Sequence, residues 1–219
     1  MAVTVPSDRR LFIVGAGGLG REVESWFRCA PAGFHDPFHL AGYLDSFVPA
    51  TDHPPWPSGL SIVGAPETFP FTAGDAVIVA IADVARRAVY AQLAGRVEII
   101  SFISHAAVVS PFARIGEGCI ICPMCVVSGN VELGRGVIAN SGTQIGHDAQ
   151  IGEFSSLMAH VDIGGGCILG KEVFMGTQSM VVPRKRVADA AQLSAGCVLT
   201  RSIKEPGGVY FGNPAVRLR

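Results

Sequence analysis

ARIGEGCIICPMCVVSGNVELGRGVIANSGTQIGHDAQIG, residues 113–152, carries an aliphatic residue at every sixth position: Ile115, Ile121, Val127, Leu133, Ala139, Ile145 and Ile151. The same register runs back to Ile103 and forward to Leu199, seventeen consecutive hits without a slip. A period of six is neither the 3.6 of a helix nor the 2 of an ordinary strand. It is the hexapeptide repeat of a β-helix, in which three hexapeptides close one triangular coil of eighteen residues. Seventeen hexapeptides make between five and six coils. Four residues after a hit the side chain is usually small (Cys119, Cys125, Thr143, Ala149, Ser155, Cys167), as a residue near the corner of a narrow prism must be. The position directly after a hit is often Gly, Ser or Asn, which is expected to permit the tight turn. The helix should end near Lys204, and the tail EPGGVYFGNPAVRLR reads as a loop with a short extended piece.

Upstream of Ile103 the pattern is different. LFIVGAGGLG (residues 11–20) is an apolar run followed by a glycine-rich turn, and REVESWFR reads as a helix: strand, glycine loop, helix, the opening of a doubly wound α/β unit. FHLAGYLD, ending in Asp45, reads as a second strand. A Pro-rich loop (Asp52 to Gly59), a short segment SIVGAPETF, a strand DAVIVAIAD ending in Asp83, a helix VARRAVYAQLAG and a last strand VEIISFI follow. The expected fold class is therefore a small Rossmann-like β-α-β domain over residues 1–100, then a parallel β-helix with its tail over 101–219.

Composition narrows the function. The 219 residues carry a formal net charge of −1, with 16% charged residues. That gives no electrostatic case for nucleic acid or an anionic membrane. The N-terminus MAVTVPSDRR is polar, and Leu11 to Val14 is too short for a secretory core or a membrane span. A cytoplasmic location with six reduced cysteines is the expectation.

Together, GAGGLG (Gly15–Gly20), GYLD (Gly42–Asp45), AIAD followed by Arg86, IGHDAQIGEF (Ile145–Phe154) and YFGNPA (Tyr210–Ala215) resemble one family over nearly the whole chain. It is the left-handed β-helix acyltransferase family that includes bacterial sialic acid O-acetyltransferases and nucleotide-amino-sugar N-acetyltransferases. The resemblance implies acetyl-CoA as co-substrate, a nucleotide sugar as acceptor, no metal, and a homotrimer with CoA in the groove between two prisms. It carries His147 over as catalytic base. The chemistry agrees, because acyl transfer from a thioester needs a group that accepts the nucleophile's proton, and imidazole titrates near neutrality. The alternative is a surface histidine on the prism. Asp148 is expected to orient the imidazole, or else to form an Asx turn at a corner. Gly165, eighteen residues after His147, should lie one coil along. The resemblance turns its N–H toward the thioester carbonyl, whereas a plain turn glycine within Gly164–Gly166 is the other reading.

Two positions depart from the family. Ser156 stands where many relatives have a histidine near the acyl group, with His160 as a possible compensation. Leu19 stands where relatives often have a histidine that contacts the acceptor. In the front domain, Gly17 and Gly18 fit a loop that lets a phosphate or base approach the backbone. Asp45 is placed for a ribose or base contact, or as a strand-end turn residue. A glycine loop does not by itself specify NAD. The domain is about half a dinucleotide-binding domain, so a nucleotide sugar fits better.

Two metal readings fail on spacing. Cys119, Cys122 and Cys125 form C-x2-C-x2-C, but the register puts them on successive prism sides. A β-helix carbonic anhydrase needs three converging histidines, yet His105, His147 and His160 are separated by 42 and 13 residues, neither a multiple of eighteen. The readings left open are N-acetylation of a nucleotide-linked amino sugar, O-acetylation of a sialic acid or related sugar, and a non-catalytic scaffold that binds nucleotide sugars.

Overall fold

In the computed structural model, residues 8–46 and 59–218 are described. The Pro-rich loop expected from Asp52 lies outside them up to residue 58, as does the N-terminal stretch 1–7. The chain divides into two compact units, Met1–Ile100 and Ser101–Arg219.

The first unit holds one sheet. Strands β1 (Arg9–Val14), β2 (Phe38–Leu44), β3 (Ile62–Gly64), β4 (Ala76–Val79) and β5 (Glu98–Ile99) pair in the order β3-β2-β1-β4-β5, and every pairing is parallel. Helices α1 (Gly18–Cys29) and α2 (Arg86–Leu93) follow β1 and β4. The runs Leu11–Val14 and Ala76–Val79 are almost fully buried. Such continuous apolar runs are what central parallel strands covered on both faces require. The buried carboxylate of Glu24 ties α1 to β2. It accepts hydrogen bonds from Tyr43 Oη at 2.5 Å and from Arg28 Nε at 2.7 Å. Burial, followed by this bond to Glu24, raises the Tyr43 phenol well above its usual range.

Two of the expected strands change. DAVIVAIAD pairs only over Ala76–Val79, which leaves Ala80–Asp83 as a loop at the end of the sheet. VEIISFI breaks in two. Glu98–Ile99 closes the α/β sheet and Phe102–Ile103 opens the next unit, so this apolar run serves two different sheets.

The second unit is a parallel β-helix. Seventeen two-residue strands, from β6 (Phe102–Ile103) to β22 (Val198–Leu199), each end on one of the seventeen apolar positions. They stack into three sheets of six, five and six rungs, and each rung pairs with the residue eighteen along, as in Val126↔Gln144↔Asp162. From Ile121 onward every one of these apolar positions is buried. Except at Lys185 the slot four residues later is sealed too, and it takes Val131, Val137, Val161 and Val173 as readily as the smaller residues, these four at 0% exposure. The last turn is tight: Val187 bridges to Ile203, sixteen residues on rather than eighteen. The tail then adds β23 (Val209–Phe211) and β24 (Val216–Arg217) to the sheet that contains β6.

The glycine positions have a different cause from the one expected. The left-handed residue of each corner is not the one directly after the apolar hit but the one two places further, as at Asn130, Asp148, His160 and Arg184. Glycine directly after the hit answers to packing between coils. A Cβ on Gly116, Gly146 or Gly152 would come within 2.7, 2.6 or 2.3 Å of backbone atoms in the next coil.

The cysteines belong to this packing. Cys119, Cys122, Cys125, Cys167 and Cys197 are fully buried, and the Cys125 Sγ–H donates to the carbonyls of Ala139 and Asn140. Burial pushes the Cys125 thiol up to about 11 and raises Cys167 and Cys197 as well. Buried neutral thiols are inert. Native protein treated with a disulfide reagent is therefore expected to release one equivalent of chromophore, from exposed Cys29, and the remaining five only after unfolding. More than one equivalent from the folded protein would contradict this packing.

Candidate active site

Two places gather the polar chemistry. In the first unit, a cleft of about 430 Å³ opens where β1, β2 and β4 end, the position at which parallel α/β sheets bind ligands. Gly17, Gly18 and Asp45 all line it, with Leu19 beside them. Gly15 has φ +101° and lies against Ala80 O, and a Cβ on Gly20 would collide with Gly15 O, so both are fixed by the turn itself. Gly17 and Gly18 have open space where a side chain would go. Their bareness keeps the cleft clear at the N-terminus of α1, where backbone N–H groups favour an anion. Asp45 holds this loop directly, since its Oδ2 accepts the Ala16 N–H at 2.8 Å. Sequence reasoning missed Glu67, which takes the Ser46 hydroxyl at 2.8 Å and lines the same cleft with Asp83.

In the β-helix, His147 and Asp148 form the corner between β13 (Gln144–Ile145) and β14 (Gln150–Ile151). His147 Nδ1 lies 2.7 Å from Asp148 Oδ2, and the imidazole is 75% exposed. The other carboxylate oxygen accepts the Asn130 Nδ2–H at 2.7 Å. Both oxygens are thus taken by side chains, not by an Asx turn. Asn130 was not foreseen; the signal available was its place eighteen residues before Asp148, on the same left-handed corner (φ 58° and 61°). The result is a relay, Asn130 to Asp148 to His147. With Nδ1–H directed at Asp148, Nε2 keeps its lone pair for a proton.

The neighbouring coils leave room around that nitrogen. Gly129 and Gly165 occupy the same corner position one coil before and one coil after His147. A Cβ on Gly165 would stand 2.7 Å from His147 Nε2, so any side chain here would push the imidazole out of its present place. Gly166 N–H donates to His147 O at 2.8 Å and fixes the two coils together.

Ser156 is not brought to this corner. It lies on β15 (Ser156–Leu157), in a different sheet from β13, paired with Ile138 and Phe174. None of its surface is exposed. His160 occupies another corner, after β15, with its ring against Gly142, so it does not stand in for Ser156 at His147. No group of three or more His, Cys, Asp or Glu residues that could hold a metal occurs among the described residues, and no helix among them is long and apolar enough to cross a membrane.

The hydrogen bond from Asn130, and then that to His147, holds the Asp148 carboxyl below the usual carboxylate range. A depressed carboxylate contributes stability that is present above its unfolded pKa and lost as pH falls through the lowered folded value. Asn130→Ala removes the larger cause. Its expected outcome is an upward shift of the Asp148 titration, followed by carboxyl-carbon NMR, with an acid limb of stability that is smaller and ends at higher pH. An unchanged Asp148 titration would show that Asn130 does not support the relay.

No family model matches the chain. Among solved structures, the acetyltransferase domain of PglB from Neisseria gonorrhoeae in complex with acetyl coenzyme A superimposes with a TM-score of 0.84 at 24% identity, over 96% of this chain and 100% of that one. PerB from Caulobacter crescentus in complex with CoA and GDP-perosamine gives 0.81 at 23% identity, over 94% and 96%. At these identities the likeness is one of fold. Among curated proteins, UDP-3-O-acylglucosamine N-acyltransferase of Herminiimonas arsenicoxydans is 31% identical over 91 residues, 37% of this chain and 26% of its own length. GDP-perosamine N-acetyltransferase of Escherichia coli O157:H7 is 29% identical over 127 residues, 56% of this chain and 58% of its own. The chain thus spans about a quarter of the first of these relatives and under two thirds of the second.

Proposed function

We propose that this chain is an acetyl-CoA-dependent N-acetyltransferase of a nucleotide-linked amino sugar. The observation that carries the reading is the Asn130–Asp148–His147 relay, whose imidazole Nε2 lies over the bare Gly165. The sugar amine is bound neutral and attacks the thioester carbonyl of acetyl-CoA. His147 Nε2 accepts its proton, and Asp148 stabilises the imidazolium that forms. The Gly165 N–H donates to the oxyanion of the tetrahedral intermediate. Collapse breaks the C–S bond, and the proton held by His147 leaves on the sulfur as CoA thiol. The amide is the other product. No acyl-enzyme is formed, in keeping with the burial of every cysteine of the β-helix unit.

The first unit is the nucleotide-sugar domain in this reading, Rossmann-like in type, with Gly17 and Gly18 against the phosphates and Asp45 as the brace of their loop. The β-helix winds left-handed, as in the acyltransferases it resembles, and the working form is a cytoplasmic homotrimer. Ser156, being closed to solvent, has no part in the transfer. The complexes of PglB with acetyl-CoA and of PerB with CoA and GDP-perosamine support the donor and acceptor classes.

The test is a thiol-release assay with acetyl-CoA and a panel of UDP-, GDP- and dTDP-linked amino sugars. Turnover of one amino sugar supports the reading and names the acceptor. Release with free sialic acids alone would replace it by O-acetylation.

A further inference from the structure

Arg86 opens α2, and none of its surface is exposed. A guanidinium in such a place is costly unless hydrogen-bond acceptors meet it. Here it turns back on its own chain. Nη1 donates to Ala82 O at 3.0 Å and to Asp83 O at 2.9 Å, two successive carbonyls of the loop that follows β4. Ala82 and Asp83, with Ile81, form one wall of the cleft in the first unit.

The clamp acts on the other side of the loop as well. In a trans peptide the N–H points opposite to the carbonyl that shares its plane. The carbonyls of Ala82 and Asp83 are drawn inward onto a fully buried side chain, so the N–H groups of Asp83 and Val84 are turned outward. Neither has an acceptor among the described residues. The groups that follow are all taken. Ala85 N–H donates to Asp83 Oδ1 at 2.7 Å, and those of Arg86, Arg87 and Ala88 donate to Asp83 O, Val84 O and Ala85 O. The open donors thus belong to the loop and not to the first turn of the helix.

Charge decides what they can hold. Three carboxylates, Asp45, Glu67 and Asp83, line the cleft, and no Lys, Arg or His is among its described lining residues. A phosphate oxygen beside Asp83 would meet like charge. An uncharged carbonyl oxygen would not, and nucleobases carry one.

We infer that Arg86 is a positioning residue for the acceptor: it holds the Ala82–Asp83 wall so that the N–H groups of Asp83 and Val84 meet a carbonyl oxygen of the nucleobase. The inference rests on the nucleotide-sugar reading above, to which it adds a buried residue and the part of the acceptor that it serves.

Val84 gives a test that spares the fold. Asp83 to Arg86 is a turn closed by Arg86 N–H on Asp83 O at 3.1 Å, and Val84 is its second residue, where proline is favoured. Val84→Pro removes one of the two donors and breaks no bond of the sheet. Its unfolding midpoint should match wild type. By calorimetry, UDP, GDP or dTDP, whichever binds, and the matching nucleoside should both bind ~3- to 10-fold more weakly. KM for the amino-sugar acceptor should rise by the same factor, with kcat and the KM for acetyl-CoA kept. Arg86→Met should weaken the same ligands at least as much, and Arg86→Lys should recover part of the loss. In wild type, free of any question of folding, the backbone amide resonances of Asp83 and Val84 should shift when the nucleoside is added. Unmoved Asp83 and Val84 amides in a complex that shifts those of Gly17 and Gly18, or wild-type affinity in Val84→Pro, would overturn the assignment. A loss confined to the diphosphates would give the donors to phosphate and overturn it too. The two readings fail separately. Amide shifts and a Val84→Pro loss without turnover of any amino sugar keep Arg86 and discard the transfer; turnover with binding indifferent to Val84→Pro does the reverse. Absence of binding by every nucleotide would overturn both.

Discussion

His147→Ala is expected to lower kcat for the proposed acetyl transfer by about 10²- to 10⁴-fold, the range that general-base catalysis contributes. The fold should be untouched. The side chain is 75% exposed on a prism corner, and the bond that joins this corner to the next coil uses its backbone carbonyl, not its ring. The unfolding midpoint should therefore match wild type while turnover collapses. His147→Asn should behave like alanine, since an amide cannot accept the proton. A loss under threefold in steady-state kcat, with chemistry shown to limit the rate, would remove His147 from the mechanism and favour the scaffold reading. Asp148→Asn is expected to be milder. It retains a polar side chain at the corner but gives up the charge that stabilises the imidazolium.

The second large effect is on stability. Leu157→Ala should destabilise the β-helix by about 3–5 kcal/mol, the upper part of the range for buried leucines. Leu157 has no exposed surface and stands on one ladder between Ala139 and Met175. The rung before it is already alanine. A second one would leave two adjacent small residues in a column whose spacing is fixed by the parallel hydrogen bonds of all three sheets. The coils cannot close the gap without breaking those ladders, so the cavity persists. In urea the transition of this unit should move to lower concentration with an unchanged slope, and the break should propagate to both neighbouring coils, because each coil is stabilised chiefly by the next. A loss below about 1 kcal/mol would mean that Met175 swings in to fill the space.

Much of this was legible in the residues themselves. The period of six is a local property of the chain: every sixth side chain must be aliphatic because every sixth points into the prism. The seventeen hits therefore coincide with the seventeen strands β6 to β22. The same arithmetic paired residues eighteen apart, and it kept the three cysteines of the C-x2-C-x2-C run from converging on a metal. The glycine loop after β1 was equally readable, since only glycine tolerates φ +101° at Gly15.

What the sequence could not supply was contact across coils and strands, which depends on distances between residues remote along the chain. The tertiary structure alone decided that Asn130 grips Asp148, that Ser156 is sealed within its sheet, and that Asp45 turns back to hold the Ala16 N–H. It also decided why glycine follows so many of the aliphatic positions. Turn conformation, a local matter, falls two residues later. The glycines yield instead to the backbone of the next coil, a neighbour that exists only once the chain has come around.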